Sequence, residues 1–207
     1  MEAKLLDYTP VPASINAQGR RAVHTPARLA HPTMTSVHPC PLPAGALLAR
    51  YADAGYVDCY TATVSRGVSH AEFVETFYTG AVFKLERWLL KLIVSTPSTD
   101  EQARELATGR RADFAAWRVE DRVADQLLMC DIGGRTRSWL MVSAEPVGNA
   151  TRLYFGSAVV PARRPSGVRP RMGIVFAALL RFHKIYSRVL LAAAHARLAR
   201  SRAGGLP

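Results

Sequence analysis

Between Ala115 and Pro161 the sequence falls into four short runs: "AAWRVEDRV", "DQLLMCDI", "RTRSWLMVSAEP" and "NATRLYFGSAVVP". Each is rich in Val, Leu, Trp or Tyr, the residue types that fit a pleated, half-buried surface. Gly133-Gly134 separates two of the runs and Gly148-Asn149 marks another turn, where glycine supplies the positive φ that tight hairpins need. Four sequential strands joined this closely form an antiparallel meander. One face of such a sheet needs cover, and a long final helix, from about Gly173 to Arg202, has the apolar length to provide it.

The remaining segments fit around that pairing. "YVDCYTATVS", from Tyr56, alternates as a first strand, after a short helix in "PAGALLARYADAG" that ends at Gly55. In "SHAEFVETFYTG", Ser69 is the N-cap of a helix, Glu72 completes a capping box and Gly80 ends it. "AVFKLERWLLKLIV" continues as a second helix, with Val82, Leu85, Leu89 and Leu92 on one stripe. "STDEQARELATG" is a third, capped by Ser98 with Glu101 and stopped at Gly109. Residues 1–43 are dense in Pro, Thr, His and Ala, without a period, and read as a disordered or extended tail. The expected organisation is one domain over 44–202, followed by a flexible 203–207. Met34 offers an alternative start, with the domain beginning near Leu42.

Charge and cysteine content narrow the classes. The chain has 207 residues and a formal net charge of +11. Ten of its 27 basic residues lie beyond Pro161, and no acidic residue lies beyond Glu145, so the charge is concentrated in a C-terminal segment on a near-neutral domain. Arg163, Arg164, Arg169 and Arg171 make its linker a candidate contact for an anionic surface. The basic helix lacks the interleaved aromatics of a single-strand binder, and no helix-turn-helix pattern precedes it. Cys40, Cys59 and Cys130 are odd in number and widely spaced, which predicts free thiols in a reducing cytoplasm rather than a disulfide framework or a zinc site. The apolar runs are broken before the ~20 residues needed to span a bilayer, and no compact apolar signal region opens the chain. Phosphate-cradling, hydrolytic and metal motifs (GxGxxG, P-loop, GxSxG, HExxH) are missing from the sequence, and no cofactor is implied.

The strand from Tyr56, the capped helices from Ser69, the meander from Trp117 to Val160 and the helix from Gly173 together resemble the START-like (Bet v 1-like, SRPBCC) superfamily. "FVETFYTGAVFKLERWLLKL", "CDIGGRTRSWLMV" and "TRLYFGSAVV" resemble an uncharacterised bacterial family beside it. The resemblance implies an α+β helix-grip fold, in which a curved antiparallel sheet wraps a C-terminal helix around a cavity. Five strands are legible here, fewer than START-like domains usually have. Either short strands hide in the connections or the sheet, and with it the cavity, is smaller.

Candidate site residues follow from periodicity. At ~100° per residue, Arg181, Lys184 and Arg188 share one face of the final helix. His183 lies nearly opposite, beside Phe176, Leu179, Tyr186 and Leu190. His183 and Tyr186 each join an apolar body to a polar tip that needs a partner when buried. They are either satisfied core residues or the polar groups of a ligand cavity. Alternation places Arg135, Arg137, Trp139 and Met141 on one strand face and Thr136, Ser138, Leu140 and Val142 on the other, without deciding which is internal. Asp131 precedes the Gly-Gly turn, as turn chemistry or as a cavity-rim acid. The expected function is binding of a small apolar or amphipathic molecule through His183, Tyr186, Asp131, Trp139 and Arg137. One alternative is a cyclase-, dehydratase- or isomerase-type enzyme using the same cavity, with His183 or Asp131 as acid or base. Another is docking of the basic segment on an anionic membrane or nucleic acid.

Overall fold

The structure, a computed structural model, describes residues 37–53, 55–83, 98–160 and 174–201, with the side chains of the last helix from Lys184 onward. Seven strands are β1 (His38–Pro39), β2 (Tyr56–Val64), β3 (Asp113–Phe114), β4 (Trp117–Val123), β5 (Gln126–Asp131), β6 (Thr136–Ala144) and β7 (Thr151–Val159). They form one open antiparallel sheet in the order β1-β2-β7-β6-β5-β4-β3. The expected meander is β4 to β7. Two strands escaped the sequence reading because each is two residues long, too short to alternate. One of them, β1, lies in the segment read as tail. Its Pro39 is tolerated because an edge strand need not donate on both sides.

Among the described residues, the α-helices whose bounds are defined are α1 (His70–Tyr78), α2 (Asp100–Ala107) and α3 (Ile174–Arg200). Ser69 caps α1 by accepting from the Glu72 N–H at 3.1 Å. The Glu72 carboxylate does not close the expected box; it takes both terminal nitrogens of Arg66 instead. The cap of α2 is Thr99 rather than Ser98, in a reciprocal box with Gln102. This start sets Asp100 and Glu101 together in the first turn, where the helix dipole favours acids. Gly109 ends the segment with φ +77°. The expected short helix before β2 is a 3₁₀ turn at Leu47–Tyr51. The stripe Leu85, Leu89 and Leu92 lies outside the described residues. No helix among the described residues is long and apolar enough to cross a membrane.

Both sheet faces are covered. Leu127, Met129, Leu140, Leu153 and Phe155 face the helices and pack with Phe73, Phe77, Leu106 and Leu191. Leu128, Trp139, Met141 and Ala158 face the other way and pack under Ala46 and Leu48 of the N-terminal segment. Double coverage explains why β5 is buried almost along its whole length instead of alternating. The register slips between Val119 and Asp121 in β4. That bulge lets the consecutive acids Glu120 and Asp121 both reach the 3₁₀ turn, at Tyr51 and Arg50 respectively.

Candidate functional site

The helix-facing sheet surface and α3 enclose a cavity of about 200 Å³. Alternation along β6 and β7 delivers Thr136, Ser138, Phe155 and Ser157 to it, and β4 contributes Trp117. Phe77, Phe83, the Arg137 position of β6 and, from α3, Tyr186, Ser187 and Leu190 complete the lining. The Phe77 ring lies 4.9 Å from Phe155 and 6.1 Å from Phe83, centroid to centroid, so the aromatic wall is one packed cluster. The lining therefore combines an aromatic floor with hydroxyl groups, the usual make-up of a small-molecule site.

Two hydroxyls behave differently. Ser157 is held: its backbone N–H donates to Asp58 Oδ1 at 3.2 Å, and its Oγ donates to the same oxygen. Tyr56 donates to Asp58 Oδ2 at 3.2 Å. Burial first, then the Asp58 carboxylate, pushes the Tyr56 phenol well above its ordinary range. Ser187 is 1% exposed, and its Oγ has no hydrogen-bond partner among the described residues. A buried hydroxyl left unpaired costs about 1–3 kcal/mol, so a group that accepts from or donates to Ser187 is favoured there.

Beyond α3 lies a second, larger groove of about 550 Å³, wrapping the sheet edge at β1 and β2. Tyr56, Asp58 and Tyr60 line it from β2, Lys184, Ile185 and Arg188 from α3, and Pro39 to Leu42 from the N-terminal segment. The Lys184 ammonium stands 5.4 Å from the Tyr56 ring centroid. Asp58 lines this groove while its Oδ1 binds Ser157 of the inner cavity, so one carboxylate links the two linings.

The residues singled out from the sequence separate. Tyr186 lines the inner cavity, on the predicted buried stripe with Leu190. The side chain of His183 lies outside the described residues. Trp139 is fully buried on the opposite sheet face, where its Nε1–H donates to Gln126 Oε1 at 2.9 Å. Arg137 lines the inner cavity at its strand position, but its side chain turns to the outer face. There Nε donates to Glu120 at 2.9 Å and the guanidinium lies 4.6 Å over the Tyr51 ring. Asp131 performs turn chemistry: Oδ1 accepts from the N–H groups of Arg135 and Thr136, both at 2.7 Å. Arg163, Arg164, Arg169 and Arg171 lie outside the described residues.

Sequence reasoning passed over Ser138, Ser157, Ser187 and Asp58. Their signal was the alternation that set Thr136 and Ser138 apart from Trp139; what it lacked was the identity of the inner face. Among the described residues, two histidines are buried, His70 and His195. His195 of α3 meets the Thr63 carbonyl at 3.1 Å, and burial lowers its pKa. Burial, with the Arg122 charge adding, brings His70 down to about 4. Both sit neutral in the protein, as structural groups. No protein-family model matches this chain, and no curated protein matches it.

Proposed function

We propose that this chain is a helix-grip protein that binds a small, mostly apolar molecule between its sheet and C-terminal helix. The strand order and the position of α3 on β2 and β7 are compatible with that arrangement. The observation that carries the reading is the buried, unpartnered Ser187 hydroxyl in an aromatic cavity. A volume of about 200 Å³ falls below the ~300–1,000 Å³ of drug-sized sites. The ligand class is therefore one ring or a short acyl chain carrying a single hydrogen-bonding group. Phe77, Trp117 and Phe155 supply the apolar contact and Ser187 the orientation. An enzymatic reading has less behind it. Asp131 is committed to its turn, and Asp58, the carboxylate behind Ser157, already accepts three hydrogen bonds.

The test combines native mass spectrometry of the purified protein with thermal-shift screening of single-ring and short-chain alcohols and carboxylic acids. Wild type is expected to carry or bind one such molecule. Ser187→Ala should weaken it by about three- to tenfold, the worth of one hydrogen bond, and Ser138→Leu should abolish binding by filling the space. Screening without a single stabilising compound, together with a Ser138→Leu protein more stable than wild type, would show an empty packing defect and end the proposal.

A further inference from the structure

Cys40 and Cys59 are 19 residues apart, with no motif around them, yet the fold places their sulfurs 3.3 Å from each other. The cause is register. β1 pairs His38 with Thr61 and Pro39 with Tyr60, so the next residue, Cys40, falls opposite Cys59. The Cys40 N–H donates to the Cys59 carbonyl at 3.0 Å, which holds that pairing one residue past the end of β1. Hydrogen-bonded antiparallel pairs have Cα atoms about 5.5 Å apart, inside the range that a disulfide spans. Bringing the sulfurs to a bond length of about 2.05 Å needs an approach of about 1.3 Å. Side-chain rotation supplies it, because β1 is a two-residue edge strand.

The two thiols are not equivalent. Cys59 is 5% exposed and packs in the outer-face core. Both line the groove of about 550 Å³ at the sheet edge, but Cys40 is only half-buried and is the more accessible of the two. The contact between the two thiols lowers the Cys40 pKa, partly opposed by burial and helped by the Arg152 charge, whereas the same contact and burial raise that of Cys59. A thiolate is the attacking form, so accessibility and ionisation select the same sulfur. Cys130 is buried in the middle of the sheet, its S–H turned to the Asp131 carbonyl.

We propose that Cys40 and Cys59 form a hydroperoxide-reactive thiol pair, with Cys40 as the attacking thiol and Cys59 as the resolving one. The Cys40 sulfur attacks one peroxide oxygen and the O–O bond breaks. Cys40 becomes a sulfenic acid, and the departing oxygen takes up the proton released by the thiol, leaving as water from hydrogen peroxide. The Cys59 sulfur then attacks the Cys40 sulfur and the S–O bond breaks. The expelled hydroxide takes the Cys59 proton as a second water. Two thiols are oxidised to one disulfide, and one peroxide is reduced to two waters. The product bolts β1 to β2 and closes the segment that carries the 3₁₀ turn into a covalent loop.

The experiment treats the reduced full chain with one equivalent of hydrogen peroxide, alkylates remaining thiols after unfolding and maps the peptides without reductant. The expected product lacks two hydrogens, carries a Cys40–Cys59 link within one chain and leaves Cys130 alkylated. In the Cys59→Ser protein, checked for native circular dichroism, a 1,3-diketone probe should label Cys40 as a sulfenic acid. That label should be at least about tenfold weaker in wild type, where Cys59 resolves it. Three results overturn the proposal: both thiols still free after peroxide, a link between chains or to Cys130, or equal diketone labelling in wild type and Cys59→Ser.

Discussion

Gln126 is a polar side chain buried in the outer-face core, and every atom it can use is engaged. Its Oε1 accepts from the Trp139 indole and from the Leu47 N–H, both at 2.9 Å, and its Nε2 donates to the Gly45 carbonyl at 3.1 Å. The Leu47 N–H is a first-turn donor of the 3₁₀ turn with no partner inside that turn. One amide thus satisfies the start of the turn and the fully buried Trp139 indole together. Gln126→Leu keeps the volume but strands two donors and an acceptor. It should cost about 2–5 kcal/mol, read as a lower urea midpoint at unchanged slope. Neighbouring Gly156 shows the same dependence on distant residues. A Cβ there would meet Leu48 Cδ2 at 2.7 Å and the Asp58 carbonyl oxygen at 2.9 Å. Nothing around Gln126 or Gly156 in the sequence marks either role, because their partners come from chain segments far away. Asp131 is the opposite case. Its partners are four and five residues ahead, and the turn chemistry was readable.

At the scale of elements, the helix C-termini share a device. Arg122 of β4 donates to the carbonyls of Leu106 and Ala107 at the end of α2. Arg66 reaches the Leu198 carbonyl of α3 at 3.1 and 3.2 Å. Arg197 reaches the Thr76 carbonyl of α1 at 2.9 Å and Thr79 Oγ1 at 3.0 Å. Each guanidinium satisfies carbonyls that a helix end leaves open and places positive charge at the negative pole of the dipole. Part of the excess basic charge is therefore structural, including one residue of the basic C-terminal segment. Arg197→Met keeps the aliphatic stem and removes those donors. It should cost about 1–3 kcal/mol, with the loss visible as faster amide exchange in the last turn of α1. The N-termini of α1 and α2 were legible in the sequence to within one residue, since a cap is local. The stops at Gly80 and Gly109 were legible too, but the arginines that satisfy the C-terminal carbonyls were not, since they arrive from other elements.

At the scale of the molecule, one sheet carries two cores of different origin, the helices on one side and the N-terminal segment on the other. Two neutral, buried histidines, one in α1 and one in α3, sit in the helix layer. His70 titrates near 4 in the folded chain against about 6.5 unfolded. The unfolded state then binds more protons between those values, so stability is complete above about pH 6.5 and falls as the pH drops towards 4. His70 alone accounts for up to about 3 kcal/mol of that fall, and His195 adds in the same direction. Chemical denaturation of wild type and His70→Gln at pH 7 and pH 4.5 should show the difference between the two proteins shrinking at the lower pH; a constant difference would count against a neutral His70. What the sequence determined by itself was the set of signals spanning a few residues: the meander, its glycine turns, the helix starts and the amphipathic last helix with Tyr186 on its buried stripe. Alternation assigns residues to two faces but carries no information about what covers each. Only tertiary structure decided that Ser138 faces the cavity and Trp139 faces away, and that Cys40 meets Cys59. Those facts arise from strand register and layer stacking, in which the energy comes from contacts between residues tens of positions apart.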